Sequence, residues 1–151
     1  MAYATIQDMV LLCGEAEMIR ATTPDGAEAV AIVKAPLLKA LENASGMIDT
    51  YLRKRYRVPL DLPTPEINDA CCKLARYSLS TGGERNPSEQ IKISRDETVQ
   101  WLDRIASGKV LLDLAEVAPG DESFATMESR RDVFSDRGDH GGGHGGFWER
   151  P

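Results

Sequence analysis

Few residues in this chain are of the kind that do chemistry, and they fall in three places. Its two histidines sit in the run Asp139-His140-Gly141-Gly142-Gly143-His144. Neutral imidazoles joined by glycine could converge on a divalent ion, but two or three ligands on a loop make a weak and unselective site. The run reads better as solvated linker, and no metal is expected. Of three cysteines, Cys13 stands alone, while Cys71 and Cys72 are adjacent, unlike the C-x2-C pairs of zinc sites. An odd number without a secretory signal argues against a disulfide framework. Buried, reduced thiols on helices are expected, because free Cys packs like a small hydrophobe. The third place is Arg53-Lys54-Arg55-Tyr56-Arg57, a basic cluster with an aromatic among its charges. It could touch phosphate. At the end of a helix, however, such side chains also complement the macrodipole, each stabilising by roughly 0.3 to 1 kcal/mol when exposed. A solvated or subunit-facing role is therefore expected, with DNA contact secondary.

The spacings that would place a phosphate, a zinc ion or a nucleophile are missing: there is no G-x-x-x-x-G-K, G-x-G-x-x-G, H-E-x-x-H or G-x-S-x-G. No catalytic residue and no cofactor are expected. Charge points the same way. The net charge is -6 and the sequence pI about 5.0, which argues against DNA as the main partner. The distribution is uneven, since residues 111–151 carry 4 Lys/Arg against 9 Asp/Glu and residues 1–110 carry 14 against 15.

A length of 151 residues with 42% hydrophobic and 28% charged side chains is globular in character and favours one modest core. No apolar run approaches the roughly 18 residues of a membrane span. The opening MAYATIQDMVLLCGE lacks a basic n-region and a cleavage site, so the protein is expected to begin in a cytoplasm.

The elements that must position these residues are short, capped helices. Thr5 with Asp8 forms an N-terminal signal ahead of Ile6, Met9, Val10 and Cys13, and Gly14 ends that helix. Glu15 to Ala21 supplies another turn with Met18 and Ile19 inward, and Thr23-Pro24-Asp25-Gly26 is a turn by residue type. Ala27 to Ala35 suits an extended piece or a helical lead-in equally. With Pro36 at its first position, a helix runs through Leu37, Leu41, Ala44, Ile48, Tyr51 and Leu52 to Tyr56. Lys39, Glu42, Asn43, Asp49, Arg53 and Lys54 take its opposite side, with Asp49 and Arg53 as an i,i+4 pair. Thr64-Pro65 opens a further helix with Ile67, Ala70, Cys71, Leu74 and Ser78 inward, stopping near Gly82-Gly83. Asn86-Pro87-Ser88-Glu89 opens the last, through Ile91, Val99, Leu102, Ile105 and Ala106 to Gly108. Ile93 is out of phase there and suggests an interruption.

The expected fold is all-α: a small helical bundle over residues 1–112 and an extended, acidic, Gly/His-rich tail over 113–151. Backbone ordering costs about 1 to 2 kcal/mol per residue, which such a polar segment cannot offset alone. Yet it carries Val133, Phe134, Phe147 and Trp148, so docking onto a neighbouring subunit or a partner is expected, with these as anchors.

Ala44-Ser45-Gly46-Met47-Ile48-Asp49-Thr50-Tyr51-Leu52, then Arg55-Tyr56 and Val58-Pro59-Leu60, then Ala75-Arg76-Tyr77 and Trp101-Leu102 through Val110 form, with the opening residues, an ordered set. Together they resemble the phage Mu-like neck protein family over roughly residues 1–112. The resemblance implies a non-enzymatic head-tail connector or head-completion protein, a ring of twelve copies in the virion neck between the portal protein and a tail-completion protein, made in the host cytoplasm and not bound to membrane. DNA passing through the channel would meet the ring only non-specifically. Arg131-Asp132-Val133-Phe134-Ser135 is similar to the ending of some relatives, but Asp136 replaces a basic residue and an extension follows. Tyr51, Tyr56 and Tyr77 divide between core and subunit contact, since their rings pack and their hydroxyls need partners. With Arg53, Arg55, Arg57, Val133, Phe134, Phe147 and Trp148 they are the interface candidates. The competing reading is a small helical nucleic-acid-binding regulator, with the helices around Pro59 to Pro65 as its reading unit.

Overall fold

The structure, a computed structural model, describes residues 2–82 and 85–114, and among them it holds five helices and no strand. They are α1 (Ile6–Cys13), α2 (Glu15–Thr22), α3 (Lys34–Leu52), α4 (Pro65–Ser80) and α5 (Glu89–Ala106). The chain is all-α over this region. Local chemistry accounts for several of the helix ends. At α1 the Thr5 hydroxyl accepts from the Asp8 N–H while the Asp8 carboxylate accepts from the Thr5 N–H at 2.7 Å, a reciprocal cap. Thr64 caps α4 with Pro65 at its first position, and Ser88 caps α5. At the end of α5 the Lys109 N–H reaches the Arg104 carbonyl (2.8 Å) and the Gly108 N–H the Ile105 carbonyl (2.9 Å). That is a Schellman motif, and it requires the left-handed φ of +77° that Gly108 supplies.

Several sequence expectations are corrected. Helix α3 starts at Lys34, so Pro36 is its third residue rather than its first, a place still free of any N–H obligation. The helix ends at Leu52, four residues short of Tyr56, because the N–H groups of Arg55 and Tyr56 both fold back to the Leu52 carbonyl (2.9 and 2.8 Å). Asp49 does not face solvent opposite Arg53: it is half-buried and accepts the Tyr3 hydroxyl. Ser78 is exposed rather than inward, and Ile93 stands 52% exposed on an uninterrupted α5. The ambiguous stretch before α3 is irregular as far as Val33.

Helices α3 and α4 each touch every other helix, and the core lies along their shared seam. Leu37, Leu41, Ile48 and Leu52 from α3 meet Ile67, Cys71 and Ala75 from α4, with Leu102 and Ile105 from α5 and Met9 and Met18 from the first two helices. Each large apolar side chain buried there stabilises by roughly 1.5 to 3 kcal/mol. The N-terminal strand of chain before α1 is sewn into that seam by Tyr3. Its N–H donates to Ser45 Oγ (2.9 Å), its carbonyl accepts from Asn68 Nδ2 (3.2 Å), and its hydroxyl donates to Asp49 and accepts from the Leu60 N–H (3.0 Å). One residue, through its backbone and its hydroxyl, thereby joins α3, α4 and the connection between them. Leu112 is buried and Leu114, two residues beyond the expected domain boundary, still packs partly on the core. Most of the expected tail, including Val133, Phe134, His140, His144, Phe147 and Trp148, lies outside the described residues.

Candidate functional site

Among the described residues, the site candidates begin with the turn that follows α3. Tyr56 drops inward, 1% exposed, and its hydroxyl accepts from the Leu112 N–H at 2.9 Å. Of the three tyrosines left open between core and contact, this one is core, whereas Tyr51 and Tyr77 are half-buried. With Tyr56 fixed inside, the neighbouring cations are turned outward: Arg53, Lys54 and Arg57 are exposed. Arg55 instead lays its guanidinium against Gly108, in space that a Cβ at that residue would occupy. The turn is thus held from beneath by a phenol and from the side by an arginine. Beyond it Leu62 is 83% exposed, so the segment ends in a bare apolar side chain.

A second feature had no counterpart in the sequence reading. Between α4 and α5 runs a groove of about 310 Å³ lined by Glu66, Asp69, Ala70, Lys73, Glu97, Thr98 and Trp101. Lys73 bonds Asp69 at 2.7 Å one helical turn away. Glu66 lies in the first turn of α4, where its own N–H and the Thr64 hydroxyl hold its carboxyl below the usual range. On the other side of Asp69 lies a depression of about 290 Å³ against α1, lined by Asp8, Leu11, Leu12, Asn68 and Cys72. Leu11 and Leu12 are 75% and 43% exposed there. The two hollows form one surface across α1, α4 and α5, apolar at one edge and acidic at the other. The sequence held one hint of it in Leu11-Leu12, a pair that a single helix cannot bury on one face.

Tyr77 stands apart from both. The Arg95 guanidinium sits 5.3 Å from its ring centroid, a cation–π contact that ties α4 to α5 beside Met47 and Asn43. Helix α2 is fastened to α4 by Arg76, whose Nε and Nη2 donate to the two Glu17 oxygens at 2.6 and 2.7 Å. Arg85 donates to the carbonyls of Ala21 and Thr23 at the end of α2. These polar groups are used up in joining helices.

The thiols offer no nucleophile. Burial raises all three, Cys71 and Cys13 upward and Cys72 to about 12, so each remains a protonated SH at neutral pH. All three are free cysteines, with Cys71 and Cys72 buried as expected and Cys13 half-exposed. Among the described residues no group of three or more His, Cys, Asp or Glu side chains is arranged to hold a metal ion, and no helix is long and apolar enough to cross a membrane.

Comparison with known proteins supplies the remaining finding. Residues 3–129 match the family model described as "Bacteriophage Mu, Gp36". The chain is 33% identical over 109 residues to "Mu-like prophage FluMu protein gp36" of Haemophilus influenzae, covering 71% of this chain and 75% of that one. It is 30% identical over 141 residues to "Gene product J" of Escherichia phage Mu, covering 89% of this chain and 95% of that one.

Proposed function

The chain belongs to the bacteriophage Mu Gp36 family, and from that premise we propose that this phage protein is a non-enzymatic structural subunit of the neck, assembling as a ring between portal and tail. The observation that carries the proposal is the character of its surface. The described residues offer shallow, charged and apolar patches on the helices, whereas Tyr3 is paired with Asp49 and Arg76 with Glu17, joining elements of the bundle. Such patches suit contact with other proteins, in which rim charges select the partner and exposed apolar side chains are covered. Portal protein and a tail-completion protein are the proposed neighbours, and residues 113–151 are proposed to dock in the assembly.

Negative-stain microscopy of the full chain, alone and with portal-bearing heads, tests the reading. Closed rings in solution or on the portal are expected. A chain that forms no ring alone and leaves portal vertices bare defeats it. The regulator reading is favoured only by the exposed cations after α3, against a net charge of -6. A gel shift with duplex DNA should show little binding at physiological salt.

A further inference from the structure

Two surfaces described above are complementary to each other, and this deepens the ring reading, on which it rests. Residues 53–62 present Arg53, Lys54 and Arg57 against one carboxylate, Asp61, and end at the 83% exposed Leu62. The surface across α1, α4 and α5 presents Glu66, Asp69 and Glu97 against one ammonium, Lys73, with half-buried Trp101 in its floor and bare Leu11 and Leu12 at its edge. One is a projecting basic turn with an apolar tip. The other is a hollow with acidic walls and an apolar margin. We propose that the turn of one copy docks in the α4–α5 groove of the next, Arg53 and Lys54 lying against Glu66 and Glu97 and Leu62 covering Leu11 and Leu12.

The occupant is a second copy because the chain carries both halves of the complementary pair, and charge disfavours pairing either half with itself. Turn against turn brings like cations together and groove against groove brings like carboxylates together, each disfavoured. Only the unlike pairing is attractive. Where turn meets groove once per pair of neighbours the contact is heterologous, and such contacts close into rings when their rotation permits, whereas a reciprocal two-fold exchange of turns stops at a dimer, which the sedimentation below tells apart. A two-fold dimer through either patch alone is the outcome this charge pattern disfavours. The rigid mounting of the turn matters as well: Tyr56 below it and Arg55 against Gly108 fix its shape before docking, which reduces the ordering cost of association.

The test is charge reversal with complementation in the full chain. One variant carries Glu66→Lys and Glu97→Lys, another Arg53→Glu and Lys54→Glu, and Glu97→Lys alone serves as the milder groove change. Sedimentation velocity at low salt is expected to show parent assemblies, and about tenfold weaker apparent association for each double variant. An equimolar mixture of the two double variants restores unlike pairing and should assemble again, which neither a misfolded chain nor a generally destabilised one would do. Double variants that assemble like the parent overturn this docking while leaving the ring reading intact. So does a mixture that stays as weak as its components. Parent chain that remains monomeric at all concentrations defeats self-association in solution and this proposal with it. If Arg53→Glu with Lys54→Glu abolishes a duplex-DNA gel shift and leaves assembly unchanged, the turn serves nucleic acid and the proposal falls.

Discussion

Helix α3 is flanked by two connections of nearly equal length that are built in opposite ways. The one after it, residues 53–64, sends Tyr56 and Leu60 into the core and is held by Tyr3, Leu112 and the Arg55 seat on Gly108. The one before it, residues 23–33, leaves Val30 73% exposed. It is held at its margins, by the Val33 N–H donating to Thr22 Oγ1 at 3.0 Å and by Arg85 at Thr23. Both connections have a side-chain partner distant in sequence, Tyr3 for the one and Arg85 for the other, and the difference is that residues 53–64 also send two large apolar side chains into the core whereas residues 23–33 leave Val30 in solvent.

Substitution at Tyr3 should break the contrast most severely. Tyr3→Ala removes a buried ring and the two hydrogen bonds of its hydroxyl, to Asp49 and from the Leu60 N–H, and is expected to cost about 3 to 5 kcal/mol in chemical denaturation. A loss below about 1 kcal/mol would mean that residues 53–64 do not depend on it. The alkaline limb sharpens the same point. Burial and the hydrogen bond to Asp49 raise the Tyr3 hydroxyl to about 12, and burial raises Cys72 to about 12. Both groups are uncharged when protonated, and a raised folded pKa means that their contribution is complete below the unfolded values and disappears as pH climbs through the folded ones. Stability should therefore fall from about pH 9 toward pH 12, and Tyr3→Phe should flatten the portion above about pH 10. An alkaline limb of unchanged slope in Tyr3→Phe would contradict this assignment.

Tyr56→Phe comes next. It keeps the ring but strands the buried Leu112 N–H, so a loss of about 1 to 3 kcal/mol is expected, with the helical circular-dichroism signal retained. At the other connection Val30→Ser should change stability by less than about 0.5 kcal/mol, since the side chain already lies in solvent. A large loss there, measured in the same denaturation series, would erase the distinction between the two connections.

How much of this could be read from the residues follows the range of the interactions. Caps were legible because Thr5 with Asp8, Thr64 with Pro65 and Gly108 act within a single turn of chain, where residue type alone decides geometry. The basic turn was legible as a cluster, though its support was not. Tyr3 meets Ser45, Asp49, Leu60 and Asn68 across gaps of 42 to 65 residues, which no local spacing encodes. The end of α3 was misplaced for the same reason, since Tyr56 keeps the helical spacing but reaches the core from a turn. The acidic groove was invisible because Glu66 and Asp69 lie on one helix and Glu97 and Trp101 on another, and only the packing of α4 on α5 brings them together.

The hydrogen bond from Leu112 to Tyr56 also has a mechanical meaning. Leu112 and Leu114 are the last described residues to pack on the core, and Leu112 is tied to the turn that bears Arg53 and Lys54. Tension applied at Leu112 would act on the Tyr56 hydroxyl and the Gly108 bend before it reached the helices. That bond couples Leu112 to the pose of the basic turn, the segment proposed above to dock on a second copy.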